Sequence, residues 1–310
     1  MLLSISSDRP GISRRGALVI GAVGTVIVLA GCSAGNPEPR ATSTTTITVA
    51  PSPSVVTTTH TPPSVPQSVS GLSPALLSSM QKMLDAQPGE VGLAIGPVGG
   101  AKPAEVFGDL TTEVAWSTIK APLALAAQRA DPEAAAPVIV PAIVNSDNAA
   151  AEQLWSMLGT PREAAAAVDE ILAEAGDTTT RVQSQRVRSG FTAFGQTQWS
   201  LILQNEFAAQ FPCIPGSESI LELMGQVSGS QQWGVADVEG AQVKGGWGPG
   251  IDYGYLVRQL AVVPSASGQV AVTMATIPDA GTFEDGTAIL DSVGQWVSKN
   301  LNQLPAGTCP

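Results

Sequence analysis

Ser117-Thr118-Ile119-Lys120 sets a hydroxyl and an amine three residues apart, a spacing that puts both on one face of a helix. A serine becomes a nucleophile when a neighbouring base takes its proton, and a lysine serves as that base when burial lowers its pKa. Trp116, Ile119 and Leu123 surround Lys120 with apolar side chains that would favour the neutral amine. The composition leaves few other routes: the one histidine, His60, stands in a Thr/Pro/Ser stretch, which argues against a histidine base or a histidine-held metal. Five lysines are present, and only Lys82 and Lys120 follow a serine at this spacing. Ser79-Met80-Gln81-Lys82 lies in the middle of an amphipathic stretch, where the serine would lack helix-start amides and the lysine would be solvated, so it reads as a structural copy. Taken alone, Ser117 also suits a helix N-cap with a snorkelling lysine one turn later.

Two further clusters follow. Ser146-Asp147-Asn148 precedes a helical Ala-rich run, and Lys244-Gly245-Gly246 ends a strand; singly, the first is a good N-cap and the second a turn. The elements that must hold them are legible from periodicity. Ser73 to Ala86 reads as a helix, and Val91 to Val98 with Ala104 to Phe107 as a strand pair around a Gly-Gly turn. Ser117 to Ala130, Ala149 to Leu158, Pro161 to Ala175 and Thr192 to Ala209 read as helices. Ala241 to Lys244, Gly254 to Val263 and Gln269 to Ile277 read as strands, and Thr282 to Leu301 as a closing helix. Strands at both ends of the domain with helices between them predict an α+β fold, an antiparallel sheet flanked by helices and assembled from both ends of residues 71–310.

In this order and on these elements, S-x-x-K, S-D-N and K-x-G resemble the three motifs of the serine β-lactamases and penicillin-binding proteins. The resemblance spans roughly residues 73–303. It implies that Ser117 attacks a carbonyl, that Lys120 takes up or relays its proton, and that Ser146 protonates the departing nitrogen. Asn148 would hold Lys120 and the substrate amide, and Lys244 would bring positive charge near a substrate carboxylate. The strand at Gly246 and Trp247 would line the substrate, with the N–H groups of Ser117 and Trp247 as the oxyanion hole. The implied ligand is a D-alanyl peptidoglycan stem or a β-lactam, with no cofactor and no metal.

Three departures qualify the expected activity. Class A β-lactamases deacylate with a glutamate in a loop after the second motif, whereas residues 178–205 contain no acid and carry Arg181, Arg186 and Arg188 instead, which read first as surface counter-charges and second as groups that face a ligand. Gly245 stands where the family has Thr or Ser, and losing that hydroxyl removes a bond worth roughly 1.5 to 3 kcal/mol to a charged acceptor. The interval from Ser117 to Ser146 is short, which would open or reshape the cleft. A binding lipoprotein that keeps the fold with little chemistry is therefore the alternative to an acyl-serine enzyme.

Upstream of the domain, Arg14-Arg15, an apolar run and Leu29-Ala30-Gly31-Cys32 describe an export signal over residues 1–31. The last four residues resemble a lipobox, which implies lipidation at Cys32 and anchoring to the outer face of the cell membrane. About two thirds of residues 41–70 are Thr, Ser or Pro, so residues 32–70 read as a disordered tether. With Cys32 at the anchor, Cys213 and Cys309 are expected to pair in an oxidising compartment. The net charge of −11 leaves no cationic stripe for a phosphate backbone, which argues against a nucleic-acid partner.

Overall fold

The computed structural model describes residues 71–100 and 104–310. The expected signal, Cys32 and the tether lie outside these residues. The strands are β1 (Gly89–Pro97), β2 (Glu105–Gly108), β3 (Thr112–Val114), β4 (Gln198–Ser200), β5 (Gln242–Pro249), β6 (Tyr255–Ser265) and β7 (Gly268–Pro278). Five of them form one antiparallel sheet in the order β2-β1-β7-β6-β5, and β3 pairs with β4 separately. The chain thus joins its first and last thirds in one sheet, as the α+β reading requires.

Helices cover both faces. α1 (Pro74–Asp85) and α8 (Phe283–Asn300) pack together on one side, with α8 against β6 and β7. The other side carries α2 (Lys120–Ala130), α3 (Pro132–Val144), α4 (Asn148–Met157), α5 (Pro161–Glu174), α6 (Leu201–Gln210) and α7 (Glu218–Met224). Because strand side chains alternate, β6 feeds both cores: Leu260 and Val262 join the cluster of Leu123, Leu154 and Phe207, while Val257, Ala261 and Val263 join Met80, Ile289 and Val293. Burying each such side chain stabilises the fold by roughly 1.5 to 3 kcal/mol.

Cys213 and Cys309 are disulfide-bonded across 96 residues, with Cα atoms 5.3 Å apart. The bond fixes the C-terminal tail, which also pairs at Gly307 with Gln269, and a native bridge of this kind contributes about 2–4 kcal/mol.

Several elements differ from the sequence expectation. β5 runs on to Pro249, so Lys244, Gly245 and Gly246 sit inside a strand instead of ending one; glycines that look like a turn serve close packing here. The expected helix over Thr192 to Ala209 contains β4 and begins only at Leu201, where the Ser200 hydroxyl accepts the Leu203 N–H as an N-cap. α3 was not expected, because Pro137 and Pro141 fall within it.

Candidate active site

α2 is buried along residues 120–127, and a helix that is apolar on every side must lie inside the core. It carries Lys120 in with it, at 1% exposure. The Lys120 amine donates to Ser146 O at 2.5 Å, Asn148 Oδ1 at 2.8 Å, Asp147 O at 3.3 Å and Ser146 Oγ at 3.4 Å. Burial pulls its pKa down to about 7, against the opposing charge of Asp147.

Ser117 does not open the α-helix itself. It lies in a 3₁₀ turn over Trp116–Ile119 that leads into α2. Among the described residues its Oγ and its N–H form no hydrogen bond, so the hydroxyl is bonded to neither Lys120 nor Ser146.

Trp116 and Ser146 are the non-glycine residues with positive φ among those described, at 45° and 54°. Such backbone costs on the order of 1–3 kcal/mol and persists only where surroundings enforce it. At Trp116 the enforcement is visible. Its indole lies on Gly248, where a Cβ would come within 2.5 Å of Cζ2, and meets Phe191 edge-on with centroids 5.1 Å apart. At Ser146, the N-cap of α4 fixes the chain on one side, since Asp147 Oδ1 accepts the Ala150 N–H at 2.7 Å. One strained residue precedes the candidate nucleophile, and the other is the second serine.

β5 supplies the remaining wall. Lys244 is fully buried, and its amine donates to Ser146 Oγ at 2.9 Å, to Gly245 O at 2.9 Å and, through a short contact, to Gln231 Oε1. Burial first, and then the neighbouring Lys120 charge, hold its pKa well below the usual lysine range. Ser146 Oγ therefore lies between two amines, neither of which has a carboxylate ion partner among the described residues. Gly246 lets the nucleophile turn approach, because a Cβ there would meet Ala115 O at 2.9 Å and the N–H nitrogens of Ser117 and Thr118 at 3.0 Å.

No family model matches the sequence, and no curated protein matches it significantly. Solved structures do match: a β-lactamase from Burkholderia vietnamiensis superposes with a TM-score of 0.58 at 16% identity, covering 74% of this chain and 97% of that one. This chain has the serine β-lactamase fold. An ancestral class A β-lactamase (TM-score 0.54, 18% identity, 72% and 99% covered) and a β-lactamase from Streptosporangium roseum (0.54, 16%, 75% and 100%) match over the same extent. At such identities the likeness carries the fold, and chemistry must be argued from the site.

Within the serine β-lactamase fold, the site brings together Lys120, Ser146, Asn148 and Lys244, with the Ser117 turn packed on Gly246. Trp247 and Trp233 lie on the other face of β5, with ring centroids 6.4 Å apart. Gly245 faces them. A Cβ there would come within 2.7 Å of Trp233 Cζ2, so the indole occupies the space that a Thr or Ser side chain would need. Ser79, the other serine with a lysine three residues on, is a structural group that accepts the Trp296 indole N–H at 3.1 Å.

Two participants escaped the sequence reading. Gln231 is fully buried and ties the two sides of the site together. Its Nε2 donates to Ile143 O and Val144 O, both at 3.0 Å, and its Oε1 accepts from Lys244 and from Gly245 N at 3.1 Å. It belongs to no motif. Arg188 corrects the reading of the arginines as surface counter-charges. Arg186 does pair with Glu152 at the surface, but half-buried Arg188 donates to Pro249 O at 2.7 Å, with its Cζ 4.7 Å from the Phe191 ring centroid. It fastens the loop after α5 to the end of β5. Asp177, the acid within that loop, is committed to the N–H groups of Thr179 and Thr180 and to the Trp199 indole.

Proposed function

We propose that the protein is an exported lipoprotein, anchored at Cys32, whose domain acylates Ser117 with D-alanyl peptidoglycan stems or the β-lactams that mimic them. The Lys120 amine carries this reading: it is buried, fixed by Asn148 and Ser146, and half neutral near pH 7.

In the reaction Ser117 Oγ bonds to the substrate carbonyl carbon as its proton passes to neutral Lys120. The oxygen that becomes negative meets the N–H groups of Ser117 and Trp247. The carbon–nitrogen bond then breaks, and the departing nitrogen takes the Ser146 proton, which the adjacent amines replace. Lys244, whose amine borders Ser146 Oγ, is the donor that would face a substrate carboxylate. Since Asp177, the acid of the loop after α5, is committed to Thr179, Thr180 and Trp199 and residues 178–205 contain no other, no free carboxylate serves there as a second base and release of the acyl group is slow.

A second reading, a binding lipoprotein with little chemistry, is favoured by the unbonded Ser117 Oγ and by Trp233 filling the place of the missing hydroxyl at Gly245. Intact-mass spectrometry after incubation with a penicillin separates the two. The enzyme reading expects a persistent adduct that is absent from Ser117→Ala; no adduct, together with no cleavage of a D-alanyl peptide, leaves the binding reading.

A further inference from the structure

Arg258 stands on β6 opposite Gly246 of β5 and is fully buried. A charge taken out of water is costly unless an opposite charge meets it, yet among the described residues Arg258 forms no ion pair. Burial draws its pKa down to about 10, against the Glu113 carboxylate, so the guanidinium keeps its charge near pH 7. What it meets are neutral acceptors. Its Nη1 donates to Glu113 O at 2.8 Å and Val114 O at 3.0 Å, and its Nη2 to Trp199 O at 3.1 Å and Gln204 Oε1 at 2.8 Å, while its Nε has no partner among the described residues. No step of the acyl transfer uses this group.

The acceptors lead to the nucleophile turn from both sides. Glu113 and Trp199 face each other across the β3–β4 pair, and Val114 continues into Ala115, whose N–H donates to Thr197 O at 2.7 Å, and then into Trp116 and Ser117. Gln204 reaches the far side: its Nε2 donates to Thr118 Oγ1 at 2.7 Å, and that hydroxyl donates to Ala115 O at 2.6 Å. Gln204 and Thr118 are both fully buried. Because arginine has donors only, it fixes the direction of every bond in this chain. Gln204 must turn its oxygen to Arg258 and its amide N–H to Thr118, which leaves the Thr118 hydrogen for Ala115 O. The turn that carries Ser117 is thereby closed across its base, by Ala115 before it and Thr118 after it. Trp116, at φ 45°, lies within that closure, in a backbone state that holds only where its surroundings enforce it.

We propose that Arg258 is a positioning residue for Ser117, holding the nucleophile turn through Val114 on one side and through Gln204 and Thr118 on the other. Its effect on rate rests on Ser117 being the nucleophile; the clamp itself is a property of the turn.

Thr118→Val keeps the shape and removes the last link, and Arg258→Lys keeps the charge and removes the fork. In hydrogen exchange of the full chain, the backbone N–H groups at positions 115 and 118 should exchange about tenfold faster or more in both variants, and acylation by a penicillin should slow about tenfold or more. Thr118→Ser, which retains the hydroxyl, should restore both. Thr276→Val is the control: it removes a buried hydroxyl bond, to Glu90 O at 2.9 Å, at the position paired with Val257 on the α1–α8 side of the sheet, and it should alter neither. If Arg258→Lys fails to fold, the two Thr118 variants carry the test. Unaltered exchange in Thr118→Val overturns the proposal, as does an undiminished rate in that variant. Exchange that quickens as expected in a protein that takes no penicillin would refute Ser117 as the nucleophile and leave the clamp standing.

Discussion

Lys244 Nζ donates to Ser146 Oγ at 2.9 Å, and Ser146 is one of two non-glycine residues held at positive φ among those described. The strained backbone turns the serine back between two buried lysines. Among the described residues neither amine forms an ion pair with a carboxylate, and burial displaces each towards its neutral form, against the Asp147 charge at Lys120 and with the Lys120 charge at Lys244. The arrangement is costly to fold, and amines perturbed in this way cluster at sites of proton exchange.

Gln231 is what keeps that arrangement from opening. Replacing it with leucine preserves volume but removes the partner of the Ile143 carbonyl, the Gly245 N–H and the Lys244 amine, while Val144 O keeps the Ser228 N–H at 2.8 Å. We expect Gln231→Leu to lose about 3 kcal/mol in chemical denaturation, since each buried orphan costs about 1–3 kcal/mol. A loss under about 1 kcal/mol would mean that the two sides of the site hold together without it.

At Gly245 the obstacle to a family-like hydroxyl is Trp233. Gly245→Thr alone should destabilise the fold by about 1–3 kcal/mol through overpacking and should not speed acylation. Combined with Trp233→Leu, the same threonine should cost less and raise the acylation rate, a coupling that a double-mutant cycle measures. Unaltered stability in Gly245→Thr would contradict the steric account.

Arg188 lies with its Cζ 5.8 Å from the ring centroid of Trp116, the residue that precedes Ser117. Arg188→Met keeps an apolar stem over Phe191 but removes the bonds to Pro249 O and Gly250 O. Acylation should slow about tenfold, equivalent to about 1.4 kcal/mol in the barrier, while the pH midpoint of the rate stays where it was. A shifted midpoint would place Arg188 in the electrostatics of Lys120 instead of in the positioning of the turn.

Much of this site was legible because its parts are local. The spacing of Ser117 and Lys120 was visible in the sequence but gained weight only from the later motifs, and among the described residues the amine bonds Ser146 and Asn148 instead of Ser117; Ser146-Asp147-Asn148 read as a helix start, which it is, since Asp147 caps α4. Order along the chain then tied these to Lys244. What escaped is non-local. Gln231 acts through carbonyls and a lysine brought to it by the fold, and glutamine at that place carries no sequence signal. Arg188 differs from Arg186 only in what the chain folds over it. α3 and the length of β5 were hidden by prolines and glycines, whose local preference was overridden by packing: one face of α3 is buried, and most of β5 is.

The central claim is that Lys120 is the base for Ser117, and the pH dependence of adduct formation with a penicillin tests it most directly. A lysine whose pKa is lowered to about 7 gains its neutral form as pH rises through that value. The acylation rate should therefore climb through pH 6 to 8 with a midpoint near 7 and be lost in Lys120→Met. A rate that is flat across this range, or that survives Lys120→Met, would contradict the account.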